Sequence, residues 1–129
     1  MIQLPKVLLI DDSAVMRKII QRNIKESGLI VDEFMEAGDG KQGLDIVSKN
    51  EDLSLVLVDW NMPNMSGIEF VKTVRSLNLP NRIPIVMVTT EGSDAKKAEA
   101  RESGADGYIT KPFTADRIRD ALGEYLLLK

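Results

Sequence analysis

The sequence predicts a doubly wound α/β domain built on a five-stranded parallel sheet. Three observations predict it: short apolar runs unbroken by polar residues, helix-period stripes between them, and short connections throughout. Continuous apolar runs mark strands covered on both faces. Alternation of strand and helix implies parallel strands joined by right-handed crossovers, with helices on both sides of the sheet. At 129 residues the chain is sized for one domain, expected to span 1–129 with no output domain.

Val7–Ile10 is the first strand. A helix follows from Asp12-Ser13, with Met16, Ile19, Ile20 and Ile24 at helical spacing and Gly28 as its stop. From Ile30 to Glu36 apolar and acidic residues alternate, the pattern of an edge strand with one exposed side. Leu44 and Val47 mark a second helix, closed near Asn50. Leu55–Val58 is the next strand and runs into Asp59. Ser66 caps a third helix whose stripe is Phe70, Val71, Val74 and Leu77, and Pro80 prevents its continuation. Ile85–Val88 leads to Thr89. Ser93-Asp94 begins an Ala-rich fourth helix ended by Gly104. Gly107–Thr110 is the last strand, and Thr114 starts a fifth helix with Ile118, Ala121, Leu122 and Tyr125 on one face.

Composition narrows the chemistry. Lys and Arg number 17 against 20 Asp and Glu, a net charge of −3, which argues against a nucleic-acid partner. There is no Cys and no His. Disulfides, thiolate or imidazole zinc sites, Cys nucleophiles and Ser-His-Asp arrangements are therefore excluded. The first apolar run ends at once in Asp11-Asp12, far short of the ~20 residues of a membrane span. A cytoplasmic location with no membrane partner is expected.

In open α/β sheets, ligands gather outside the carboxyl ends of the strands. Those ends carry Asp11-Asp12, Asp59, Thr89 and Lys111. Taken singly, each has a bland role: Asp12 can cap a helix, Asp59 can open a turn, Thr89 can cap, and Lys111 can be a solvated loop lysine. Taken together they do not. Three carboxylates at one low-dielectric edge repel by several kcal/mol unless a cation is supplied, and an all-oxygen set of this kind suits Mg²⁺. A carboxylate can attack phosphorus, while a metal and a lysine neutralise the phosphoryl oxygens and a hydroxyl binds the rest. Asp59 alone ends the central strand and is the better nucleophile. Asp11 and Asp12 are better placed on the metal side.

The ordered set Asp11-Asp12, Asp59, Thr89 and Lys111-Pro112 resembles the receiver domain of two-component response regulators, over essentially the whole chain from Val7 to about Leu127. The segments Asp59-Trp60-Asn61-Met62-Pro63-Asn64-Met65-Ser66-Gly67, Gly104-Ala105-Asp106-Gly107-Tyr108 and Lys111-Pro112-Phe113-Thr114 are similar to the chemotaxis members. The resemblance implies a flavodoxin-like fold of strand order 2-1-3-4-5, with Asp59 as phosphoacceptor. It implies Mg²⁺ held by the Asp12 and Asp59 side chains and the Asn61 backbone carbonyl, with Asp11 acting through a metal-bound water. Thr89 and Lys111 would contact the phosphoryl oxygens, Tyr108 would be the aromatic whose rotamer follows Thr89, and the Lys111–Pro112 bond would be cis. Asn61, Thr90 and Glu91 would set access to the site. Thr90 departs from the small residue usual in chemotaxis members, which bears on phosphate lifetime.

A receiver without histidine would take its phosphoryl group from a His of a partner kinase. It would signal by protein contact, in chemotaxis at a flagellar switch protein, with a separate phosphatase possible. A monomeric signalling protein is expected, not an enzyme beyond self-phosphorylation from donors and slow self-dephosphorylation. By the same resemblance the contact face comprises the fourth helix, last strand and fifth helix, with Lys96, Lys97, Arg101 and Tyr108. Without it, the three basic residues read as a solvated helix face.

Rival readings fail on particular residues. Gly38-Asp39-Gly40-Lys41-Gln42-Gly43 matches the G-x-G-x-x-G dinucleotide pattern, but it follows the weak edge strand and not the first strand of a βαβ unit. A flavin site needs a hydroxyl- and glycine-rich loop after the first strand, where this chain has Asp11-Asp12-Ser13-Ala14. A haloacid-dehalogenase-type phosphatase places a second Asp two residues beyond its nucleophile, where Asn61 stands. A phosphorelay intermediate, passing phosphate to another His protein, keeps the same chemistry in a different circuit.

Overall fold

The structure is a computed structural model that describes residues 5–50, 52–90 and 92–128. The first strand, β1 (Lys6–Ile10), leads into α1 (Ala14–Glu26), followed by β2 (Leu29–Ile30), β3 (Glu33–Ala37) and α2 (Gly40–Lys49). The central strand β4 (Leu55–Asp59) precedes α3 (Gly67–Ser76), β5 (Ile85–Thr89) and α4 (Asp94–Ser103). The described chain closes with β6 (Gly107–Thr110), α5 (Ala115–Leu122) and β7 (Leu127–Leu128).

Five strands form one parallel sheet in the order β3-β1-β4-β5-β6. Numbered among themselves, these strands run 2-1-3-4-5, as expected. Successive residues of each strand point to opposite faces, and the core divides accordingly. Leu8, Ile10, Val56, Val58, Ile85 and Met87 meet Val47, Phe70, Val71, Val74 and Ala100 from α2, α3 and α4. Val7, Leu9, Leu55, Leu57, Val86 and Val88 meet Ile20, Ile24, Ile118 and Leu122 from α1 and α5. Two-sided burial is why these strands read as continuous apolar runs. Each fully buried aliphatic or Phe side chain contributes about 1.5–3 kcal/mol.

The helix starts follow from their caps. Ser13, Ser66, Ser93 and Thr114 each accept a hydrogen bond from the backbone N–H three residues on, as does Asp39 at the start of α2. Ser13, not Asp12, therefore caps α1, and the Asp12 carboxylate is released from that role. Gly43 of the rejected dinucleotide pattern has a packing purpose: a Cβ there would lie 2.4 Å from Ile10 Cδ1, so its absence seats α2 on β1.

The structure corrects two details. The alternating stretch from Ile30 to Glu36 is not one strand. Asp32 N–H donates to the Pro5 carbonyl (2.7 Å), and Leu29–Ile30 turns away to pair antiparallel with Leu127–Leu128. That pairing joins residues almost a chain length apart, which no local period reveals. Tyr125 lies beyond the end of α5, in the turn before β7, although it still packs on the same core cluster. Among the described residues, no helix is long and apolar enough to cross a membrane.

Candidate functional site

The strand ends bring the anticipated residues together. Asp11 follows β1, and its N–H donates to Ala37 O (3.1 Å), extending the ladder with β3 by one bond. Its carboxylate accepts the Ser13 N–H at 2.8 Å, so Asp11 is buried with its main chain and side chain both bonded. Asp12, one residue on, is exposed. Asp59 terminates β4. Carboxylate oxygens of Asp11, Asp12 and Asp59 lie within 4.8 Å of one another.

Lys111 comes from the loop after β6, whose entry is held by a bond from Lys111 N–H to Thr89 O (2.6 Å); the Lys111–Pro112 peptide is cis. Its ammonium lies 3.4 Å from Asp11 Oδ2 and 3.4 Å from Asp59 Oδ1. Burial pushes the Asp59 carboxyl above the ordinary carboxylate range; the Lys111 charge pulls it down and the Asp11 charge adds to the rise. One ammonium among three carboxylates leaves the cluster net negative.

That donor set fits a hard divalent cation. With one oxygen from each of the three carboxylates within 4.8 Å of the others, all three can face a single ion, directly or through a bound water. All donors are oxygens and Asp12 faces solvent, which suits an ion that keeps several waters.

The loop after β4 is held against the strand it leaves. Trp60 N donates to Val88 O (3.2 Å) and Gly67 N to Trp60 O (2.9 Å). A Cβ on Gly67 would lie 2.4 Å from the Asp59 carbonyl oxygen, so only glycine permits this approach. Asn61 is exposed in that loop, and Asn64 takes a left-handed conformation (φ 68°).

Thr89 is buried at the end of β5. Thr90, the next residue, is exposed and shares a groove of about 330 Å³ with Met16, Ile19, Lys111, Pro112 and Phe113. Glu91 lies outside the described residues. Tyr108 meets Trp60 edge-on, with centroids 6.3 Å apart and planes at 74°. Of the basic residues on α4, Lys96 is partly exposed, and its ammonium lies 4.7 Å over the Trp60 ring. Lys97 and Arg101 are exposed and line a cavity of about 210 Å³ with Tyr108.

Sequence reasoning missed Arg17. Its guanidinium donates to the Asp11 carbonyl oxygen through Nη1 (2.5 Å) and to Glu36 Oε1 through Nε (3.0 Å). A lone arginine in an amphipathic helix carries no signal of such a contact.

A parallel sheet carries acidic residues, a threonine and a lysine at its carboxyl edge, and the chain belongs to the response regulator receiver domain family, whose model matches residues 7–123. Within it, the relatives are chemotaxis proteins of the CheY type. A chemotaxis protein CheY homolog of Campylobacter jejuni is 41% identical over 121 residues, covering 94% of this chain and 92% of the relative. CheY1 of Helicobacter pylori is 38% identical over 117 residues, 91% of this chain and 93% of that protein. The solved structure of CheY4 from Vibrio cholerae superposes with a TM-score of 0.83 at 35% identity, covering 96% of this chain and all of that one (100%). The chain is thus a receiver domain of a CheY-type chemotaxis response regulator, a signalling domain and not a conventional enzyme.

Proposed function

We propose that Asp59 is the phosphoacceptor of this domain and takes a phosphoryl group from a phosphohistidine of a partner kinase. The observation that carries this reading is the Lys111 ammonium held 3.4 Å from both Asp59 and buried Asp11 at a carboxylate cluster of cation-binding spacing. An Asp59 carboxylate oxygen attacks phosphorus; the P–O bond forms as the P–N bond breaks, and the bonding pair leaves on the imidazole nitrogen. Asp59 must attack as the anion. Burial opposes that, and Lys111 counters it. Lys111 and Thr89 then bind the phosphoryl oxygens. Mg²⁺ held by Asp12, Asp59 and the Asn61 carbonyl, with Asp11 acting through a bound water, would supply further neutralisation of the charge on those oxygens.

The output side is α4 and β6. Ala100 is the one buried residue of α4, so this helix is held by less apolar contact than its neighbours and is free to shift. Attraction of Thr89 towards the phosphoryl group makes room for Tyr108 and alters the face formed by Lys97, Arg101 and Tyr108. A two-state element is thereby biased by one charge event. We assign that face to a flagellar switch protein, in the cytoplasm, with the regulator acting as a monomer.

Trp60 adjoins Asp59 and is the single tryptophan of the chain, which supplies the test. Mg²⁺ changes its emission, and acetyl phosphate changes it further only while Mg²⁺ is present; chelation blocks the second change and Asp59→Asn abolishes it. A wild-type protein that takes no base-labile phosphate from such donors or from a histidine kinase overturns the reading.

A further inference from the structure

We propose that Arg17 is a positioning residue for the Asp11–Asp12 pair, acting on the main chain and not on the bound ion or phosphate. The proposal rests on the Mg²⁺ reading above. Asp11 and Asp12 occupy a turn between β1 and α1, and what orients their carboxylates is the peptide plane that joins them. The carbonyl of that peptide accepts the Arg17 Nη1 at 2.5 Å. Arg17 in turn is held by Glu36, at 3.0 Å through Nε. Glu36 belongs to β3, which pairs with β1 in register Leu9↔Glu36 and Ile10↔Ala37.

The contact therefore closes a ring of rigid parts: β1, the acidic turn, the first turn of α1, and β3. A planar guanidinium is suited to it, because its donors are fixed relative to one another and can meet the carboxylate and the carbonyl at once. Lys18 also pairs with Glu36 at 3.0 Å, but from a side chain that is 68% exposed, against 17% for Arg17. The buried arm of the pair is the one that reaches the turn. Partners behind the ligands of a metal are where geometry is set, and their loss typically weakens metal binding by 10–100-fold.

Charge alone predicts the opposite sign. Arg17 is a cation beside a cation site, so its removal would tighten Mg²⁺ binding if it acted only through its field. Positioning predicts that removal weakens binding. We therefore expect Arg17→Met to weaken Mg²⁺, read from the midpoint of a Trp60 emission titration at a temperature where the protein is fully folded, by about 10-fold. Arg17→Lys, which keeps the charge and one donor, falls between the variant and the wild type. Arg17→Met binding Mg²⁺ as tightly as the wild type, or more tightly, overturns the proposal. If that variant does not fold, Arg17→Lys carries the test: charge alone predicts no change in the midpoint, so a midpoint equal to wild type overturns the proposal and a weaker one supports it. A wild type whose emission and melting temperature ignore Mg²⁺ instead defeats the metal reading itself, which separates the two failures.

Discussion

Replacing Lys111 with methionine removes the ammonium that, among the described residues, faces both Asp11 and Asp59. Its side chain is 15% exposed, and those of Asp11 and Asp59 are 4% and 13% exposed, so water does little to replace it. At an effective dielectric of about 20, unit charges 3.4 Å apart attract by about 5 kcal/mol. Much of that gross attraction offsets the desolvation of the lysine. What Lys111→Met leaves behind is two buried carboxylates with no cation, and removing one partner of a buried pair costs about 3–5 kcal/mol. We take the lower end, because Asp12 and the open side of the site face water. A loss of about 3 kcal/mol in metal-free buffer at pH 7 lowers the melting temperature by roughly 10 °C in a domain of this size.

The loss has three signatures that distinguish it from poor packing. Mg²⁺ replaces the missing charge, so it raises the melting temperature of Lys111→Met more than that of the wild type. In an Asp59→Asn background the lysine has one carboxylate fewer to face, and Lys111→Met becomes milder. The pH dependence has a definite sign. The Asp59 carboxyl is raised by burial even in the wild type. Its favourable contribution to folding is therefore fully present below the unfolded value of about 3.9 and is lost as pH rises through the folded value. Without Lys111 that folded value climbs further, so the deficit of the variant is largest near neutrality and shrinks in mild acid. Melts at pH 5 and pH 7, with and without Mg²⁺, decide it. Equal stability of variant and wild type in metal-free buffer, or a deficit that neither Mg²⁺ nor Asp59→Asn reduces, would refute the reasoning.

Two further outcomes follow from the same geometry. Because Asp11, Asp12 and Asp59 repel, Mg²⁺ should raise the wild-type melting temperature by mass action on the folded state, while Asp59→Asn should stabilise the metal-free protein and shrink the metal effect; a wild-type midpoint indifferent to millimolar Mg²⁺ contradicts this. Thr90 and Lys111 line one groove; on the proposed phosphoacceptor reading the branched side chain of Thr90 would narrow the path of attacking water, so Thr90→Ala should lose phosphate faster in a radiolabel decay series, and equal or slower loss counts against that role.

What the sequence revealed, and what it hid, divides along one physical line. Elements whose signal is local were legible. Val7–Ile10 and Ile85–Val88 announce two-sided burial by composition alone, Ser66 and Thr114 cap the helices they precede, and Asp59 and Thr89 mark strand ends because an apolar run stops there. The site inherits that legibility, since in a parallel sheet the carboxyl ends of the strands share one edge and carboxylates that close to one another require a counter-charge. Features made by pairing distant segments were not legible. The β2–β7 pair depends on Leu29–Ile30 meeting Leu127–Leu128, and Ile30 sits in a stretch whose alternation mimics one longer strand. Lys96 shows the same limit on a side chain. It lies in a run of charged residues that reads as a solvated helix face, and its ammonium lies over the ring of Trp60, the residue that follows β4. A charge pattern states that a face is polar; only the packing of the folded chain decides which of its lysines faces a ring and which, like Lys97, remains in water.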